Sequence, residues 1–217
     1  MRFKMIFPFF LLTAALALFP QDESHAGTLI DKVVAAVNDG IITYTDVEKA
    51  ILFYPELLRL EKTDEDFYRH IVDELVNYRV VFLEYRDEFT LSEDDYEQVQ
   101  TPILQKIGSM DQLRDILQGY QMTWSDFQAF IREKVLFEKV MRERFSMNIE
   151  IAFADIEAFY QTQYIPSQSE LQIEPRSMVE MAPTIEKYLR QARTAERLSA
   201  WLNDLKRGYR IDIKLKV

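Results

Sequence analysis

The sequence predicts a mostly α-helical protein with a small antiparallel β-sheet, in which an N-terminal hairpin pairs with a C-terminal strand. Three observations lead there. Apolar residues recur at spacings of three and four over most of the chain, the period of one helix face. Segments with strand patterning occur only near residue 30 and after residue 210. An isolated strand leaves its backbone N–H and C=O groups without partners, so those two segments are expected to meet. With 217 residues, 48% of them hydrophobic, the chain has enough apolar surface for one core without a metal or disulfide staple.

In chain order, Arg2 and Lys4 precede an apolar run from Met5 to Phe19, and Ser24-His25-Ala26 offers a small-x-small cleavage site. This predicts a cleaved signal peptide over residues 1–26, with an uncleaved membrane anchor as the alternative, since the run is shorter than the roughly 20 residues that span a bilayer. The mature protein is then expected in the periplasm, with no integral membrane segment after cleavage. Leu29 to Val37 and Ile41 to Thr43 flank Asn38-Asp39-Gly40, and Asp-Gly between β-rich runs predicts a hairpin. Thr45 is placed to cap a helix with Asp46 and Glu48 in its first turn. A second helix is expected from near Thr63 to about Phe89, striped by Phe67, Ile71, Leu75, Tyr78, Phe82 and Tyr85.

Cap chemistry marks the next three helices. Ser92 with Asp95 and Thr123 with Asp126 form capping-box pairs, and Ser109 with Gln112 is a shorter example. Gly108 and Gly119 are expected to end the two intervening helices, and Pro102 to kink or split the first of them. From Trp124 to about Phe145, the residues Phe127, Phe130, Ile131, Phe137 and Met141 form one stripe, with Leu136 and Val140 off it. A further helix around Asp155 to Tyr164 is expected to stop before Pro166.

Residues 166–182 are rich in Ser, Gln and Glu, and read as a linker. Pro183 suits the first turn of a long helix reaching Arg207, with Ile185, Tyr188, Leu189, Ala192, Ala195, Leu202 and Leu205 inward. Ile211, Ile213, Leu215 and Val217 alternate with polar residues as a half-buried strand does. Residues 182–217 carry nine basic and four acidic side chains, against 15 and 30 over 27–181, so the two segments attract.

Composition removes most chemistries. Without cysteine there is no thiol nucleophile, disulfide or thiolate metal site. A formal net charge of -10 argues against nucleic acid as a partner. His70 is the only histidine beyond the signal segment and reads as a helix-surface residue. The acidic runs Asp64-Glu65-Asp66 and Glu93-Asp94-Asp95 fall in first helical turns, where they compensate the helix dipole, and lack the alternation of a calcium loop. With no GxSxG elbow and no phosphate-cradling glycine loop, no catalytic residue, metal or cofactor is expected. The 15 Phe, 11 Tyr and 8 Met residues point instead to surface and core packing. A peptide-binding surface is assigned to Phe53, Tyr54, Leu57, Met122 and Trp124, where aromatic rings and methionine supply adaptable contact area.

The order of these pieces resembles SurA-like periplasmic chaperones. The likeness covers Leu29 to Thr43 with its Val37-Asn38-Asp39-Gly40 turn, then Tyr44-Thr45-Asp46-Val47, Leu91 to Tyr96, Ser109 to Leu117, Thr123 to Phe127, Ile131 to Lys134 and Val140 to Phe145. The tail, Ala200 to Lys206 and then Ile211 to Val217, is similar to that family's returning helix and strand. Where such proteins carry parvulin-type prolyl isomerase domains, this chain has only Pro166 to Pro183. The resemblance implies a chaperone core, 27–165 completed by 183–217, that binds unfolded outer-membrane or secreted polypeptides without ATP and without isomerising proline. A monomer or weak dimer is expected. The alternative is an interaction subunit of an envelope or secretion assembly, with one defined folded partner.

Overall fold

A computed structural model describes residues 31–59, 65–145 and 149–214. The segment expected to be a signal peptide, the expected start of the second helix near Thr63 and the last residues of the tail lie outside the described residues. The fold is mostly helical with one three-stranded antiparallel sheet, as expected.

The hairpin joins β1, Val33–Val37, to β2, Gly40–Thr43. Its turn differs from expectation in one respect: the left-handed residue is Asn38, with φ 52, rather than the Asp39-Gly40 pair. Asparagine tolerates that conformation because its short side chain hydrogen-bonds locally. The C-terminal strand β3, Ile211–Ile213, pairs with the other edge of β1, in the order β2-β1-β3. Ala35 faces Ile213 and Val37 faces Ile211. The chain therefore closes on itself, and β1 becomes a central strand whose Val34, Ala35 and Val37 are fully buried.

Helix α1, Tyr44–Phe53, is capped by Thr43, two residues earlier than expected. The Asp46 carboxylate accepts the Thr43 N–H at 3.0 Å while the Thr43 hydroxyl accepts the Asp46 N–H. Thr45 instead donates its backbone N–H to Asp31. A 3₁₀ turn, Pro55–Arg59, leads toward α2, Glu65–Tyr85, which packs on β1, β2 and α1.

Helices α3, Glu93–Ile107, and α4, Met110–Gly119, carry the expected caps at Ser92 and Ser109, and Thr123 makes its capping bonds with Asp126 before α5, Trp124–Phe145. Pro102 does not split α3, which runs through it. The carbonyl it leaves unbonded belongs to Gln98, an exposed residue that water can serve. Leu136 and Val140, expected off the buried stripe of α5, are buried with Val135 and Lys134, because α2 and α3 flank this helix.

The region after residue 150 departs furthest from expectation. Helix α6, Phe153–Phe159, continues through a π turn, Tyr160–Tyr164, into α7, Ile165–Glu170, so Pro166 does not end it. The wide turn, closed by the Ile165 N–H on the Tyr160 carbonyl, shifts the register where the proline ring would clash. Helix α8, Met178–Lys206, begins at a Ser177–Glu180 capping box and contains Pro183 in its second turn. Only residues 171–177 of the expected linker are non-helical.

Three apolar clusters hold the described residues together. The largest surrounds Phe53, Tyr54, Ile71, Phe127 and Ile131. A second joins Val81, Tyr85, Leu136 and Val140 to Leu202 of α8, and a third joins Ile156 and Tyr160 to Ile185 of the same helix. Helix α8 thus packs at its two ends and not along one continuous stripe. Tyr188 is 54% exposed, and Ala192 and Ala195, expected inward, face solvent.

Candidate functional site

The sequence-assigned surface residues divide sharply in the structure. Phe53, Tyr54 and Leu57 are core residues, no more than 3% exposed, so this correction removes them from any docking surface. Phe53 lies edge-on to Phe127, and Tyr54 stacks on Phe130 and meets Tyr78 edge-on. The end of a helix and a following 3₁₀ turn look exposed in sequence, but α5 covers this one. Met122 and Trp124 are different: both line an open recess of about 750 Å³.

That recess is built at the α4–α5 junction. Helix α4 ends in a Schellman arrangement: the Met122 N–H reaches the Leu117 carbonyl at 2.8 Å, and the Gln121 N–H reaches Gln118. Gln121 holds the left-handed position with φ 54. The turn swings Met122 back over Leu117, and the Thr123–Asp126 capping bonds start α5 so that Trp124 stands beside them. Leu117 is buried, while Met110 and Trp124 are 41% and 38% exposed. Arg114, Gln118 and Gln121 add polar groups to an otherwise apolar lining, and the Arg114–Asp111 pair is solvated. Trp124 leans on the buried Phe127 ring at 5.2 Å, which holds the indole in place.

Met110 and Leu117 were missed by sequence reasoning. The signal was available: a Schellman end brings the residue after the left-handed position against the third residue from the helix terminus, here Met122 on Leu117. It was hidden because Gly119, not Gln121, looked like the left-handed residue.

A smaller cavity of about 210 Å³ includes Tyr54, Tyr78, Arg79 and Glu133 in its lining. Burial pushes the Glu133 carboxyl up while Arg79, bonded to it at 2.6 Å, pulls against that. The Tyr54 and Tyr78 phenols are pushed well above their usual range, first by burial and then by nearby carboxylates. Lys134 completes this polar interior. Its ammonium lies 5.3 and 5.4 Å from the Tyr54 and Tyr78 ring centroids and pairs with Glu56 and Glu138 at 2.5 and 2.6 Å. These groups are paired structurally and line up no nucleophile with a base. His70 is exposed, and among the described residues no cluster of three or more His, Asp or Glu side chains could hold a metal.

Fold and site together define a helical domain closed by a three-stranded sheet and opening an apolar, methionine- and tryptophan-lined recess. No family model matches the chain, and no curated protein matches it. No helix among the described residues is long and apolar enough to cross a membrane.

Proposed function

We propose that this protein is an ATP-independent periplasmic holdase that binds unfolded outer-membrane or secreted polypeptides, without prolyl isomerase activity. One observation carries the reading: the recess formed by Met110, Leu117, Met122 and Trp124 is open, apolar and of about 750 Å³. Its volume lies within the roughly 300–1,000 Å³ of small-ligand sites, enough for one or two client side chains at a time. Methionine side chains adapt to rings and aliphatic chains alike, which suits a surface that must accept many sequences. The indole supplies a rigid anchor of the kind that dominates binding energy at interfaces. The returning β3 strand and the order of the helix caps support the same reading, as does the likeness to SurA-like chaperones described above.

Light scattering tests it. The protein is expected to slow aggregation of an unfolded outer-membrane protein at equimolar ratio, and Met122→Ser with Trp124→Ala to lose most of that effect while keeping the helical circular dichroism. A single stoichiometric folded partner in pull-downs, with no effect on aggregation, would favour the assembly-subunit alternative. Acceleration of cis/trans conversion in a proline peptide would contradict the isomerase-free part of the proposal.

A further inference from the structure

A second groove, of about 500 Å³, opens between α2, the loop after it and the first half of α5, and shares no lining residue with the Met122–Trp124 recess. Phe82, Phe89, Leu91 and Tyr96 give it apolar walls, and Arg86 and Arg132 give it charge. No Asp or Glu is among the described residues that line it, in a chain with 36 acidic and 26 basic side chains. The two guanidinium groups are also poorly neutralised. Arg132 lies over the Phe82 ring, 5.3 Å from its centroid, and forms no ion pair among the described residues. Among the described residues the one ion pair of Arg86 is with its chain neighbour Asp87 at 3.9 Å, whose side chain is 93% exposed. Guanidinium groups beside aromatic faces match a planar carboxylate that has an apolar group next to it.

We propose that this groove binds the free C-terminal carboxylate of an unfolded polypeptide whose last residue is aromatic or large and aliphatic. The terminal position follows from backbone geometry. In an extended chain adjacent side chains point to opposite faces and those sharing a face stand two residues, about 6.8 Å, apart, so an internal Asp or Glu and an apolar residue enter as two separated groups. An α-carboxylate and the side chain of the same residue spring from one Cα and so lie closer together, which matches a guanidinium set 5.3 Å from the Phe82 ring centroid. This inference rests on the client-binding reading above and names the end of the client that is held.

The test uses the full chain and a fluorescent peptide ending in Phe, in free-acid and C-terminal amide forms. The free acid is expected to bind roughly tenfold more tightly, the scale of one charge-assisted hydrogen bond. Arg86→Met and Arg132→Met, which keep the apolar stems, are each expected to reduce that preference and together to abolish it, with melting temperature unchanged. Equal binding of acid and amide by a protein that still suppresses aggregation would overturn the groove assignment and leave the holdase reading standing. An unmodified protein that neither suppresses aggregation nor binds either peptide would overturn both. Arginine-dependent binding to phosphatidylglycerol vesicles, with acid and amide peptides alike, would place a membrane surface there and equally overturn the assignment.

Discussion

Asn38 and Arg210, 172 residues apart, exchange two hydrogen bonds: the Asn38 N–H donates to the Arg210 carbonyl at 2.8 Å, and the Arg210 N–H donates to Asn38 Oδ1 at 3.0 Å. The same asparagine occupies the left-handed turn of the hairpin, so one residue serves the turn with its backbone and the closure with its side chain. Asn38→Ala loses the Oδ1 acceptor and adds the cost of positive φ, and is expected to destabilise by about 2 kcal/mol. Asn38→Gly loses only the acceptor and should cost about 1 kcal/mol. Urea unfolding of the two variants measures the difference, and equal losses would remove the backbone part of this account.

Asp95 performs a similar double task between α3 and α5. Its Oδ2 accepts the Ser92 N–H at 2.9 Å and the Lys139 ammonium at 2.7 Å, and its Oδ1 accepts Arg142 at 2.6 Å. Burial opposes ionisation, but the hydrogen bonds from Lys139 and Ser92 outweigh it and hold the carboxyl at about 2. The folded value lies below the unfolded one, so this contribution is complete above about pH 4 and disappears as pH falls through about 2. Its size is about 2 kcal/mol. Asp95→Asn is expected to be less stable at pH 7 and to show a flatter stability profile between pH 5 and 2. Parallel profiles for the two proteins would rule out the carboxylate as the acid-sensitive tie.

Lys134 is only 5% exposed, enclosed by Tyr54 and Tyr78 and paired with Glu56 and Glu138. Lys134→Met keeps the stem but removes the partner of two carboxylates whose side chains are 38% exposed, so water serves part of the loss, and the cost is expected to be about 1–2 kcal/mol. Adding Glu56→Gln and Glu138→Gln should recover part of that loss, since leaving a partly buried charge unpaired is worse than removing it. Chemical denaturation of the single and triple variants gives the comparison; no recovery would show that the cation–π contacts dominate.

Sequence patterning made the closure, the capping boxes at Ser92 and Thr123 and the approximate span of α5 legible, because each depends on residues close together or on strict alternation. It failed where tertiary packing decides. Phe53 and Tyr54 end an amphipathic helix and look like surface anchors, yet the α5 rings Phe127 and Phe130 cover them. Prolines misled for the opposite reason. Pro166 and Pro183 were read as boundaries, but a π turn absorbs one and the exposed start of α8 tolerates the other. The Ser177–Glu180 capping box, a local pattern, and not Pro183 sets the start of α8. Of the recess, Met122 and Trp124 were found from residue type, while Met110 and Leu117 required knowing which residue of the turn is left-handed.

That turn gives opposite substitutions the same sign, a Cβ added at one residue and one removed at the other. Gly119 is the last residue of α4, without positive φ, and a Cβ there would meet no atom within 4 Å. Gln121 carries φ 54. Gly119→Ala is therefore expected to stabilise by about 0.5–1 kcal/mol through reduced freedom of the unfolded chain. Gln121→Gly should also stabilise, by up to about 1 kcal/mol, by relieving the left-handed strain. If Gly119 were the left-handed terminator, its alanine variant would instead lose stability, so thermal melts of the pair decide between the two geometries.

Trp124 offers a direct view of the recess. The chain has two tryptophans, and the other, Trp201, sits between the Tyr85 and Phe145 rings, where phenylalanine preserves an aromatic contact. Trp201→Phe therefore leaves Trp124 as the sole indole. At 38% exposure it emits from a partly aqueous setting, and a client side chain entering beside Met122 would displace that water. Titration with an unfolded outer-membrane protein is expected to shift its emission to the blue, saturating at the same concentration that suppresses aggregation. Met122→Ser should weaken the shift by roughly tenfold in apparent affinity, the scale of losing one buried thioether side chain from a binding pocket. An unmoved emission maximum under conditions that still suppress aggregation would locate client binding away from this recess.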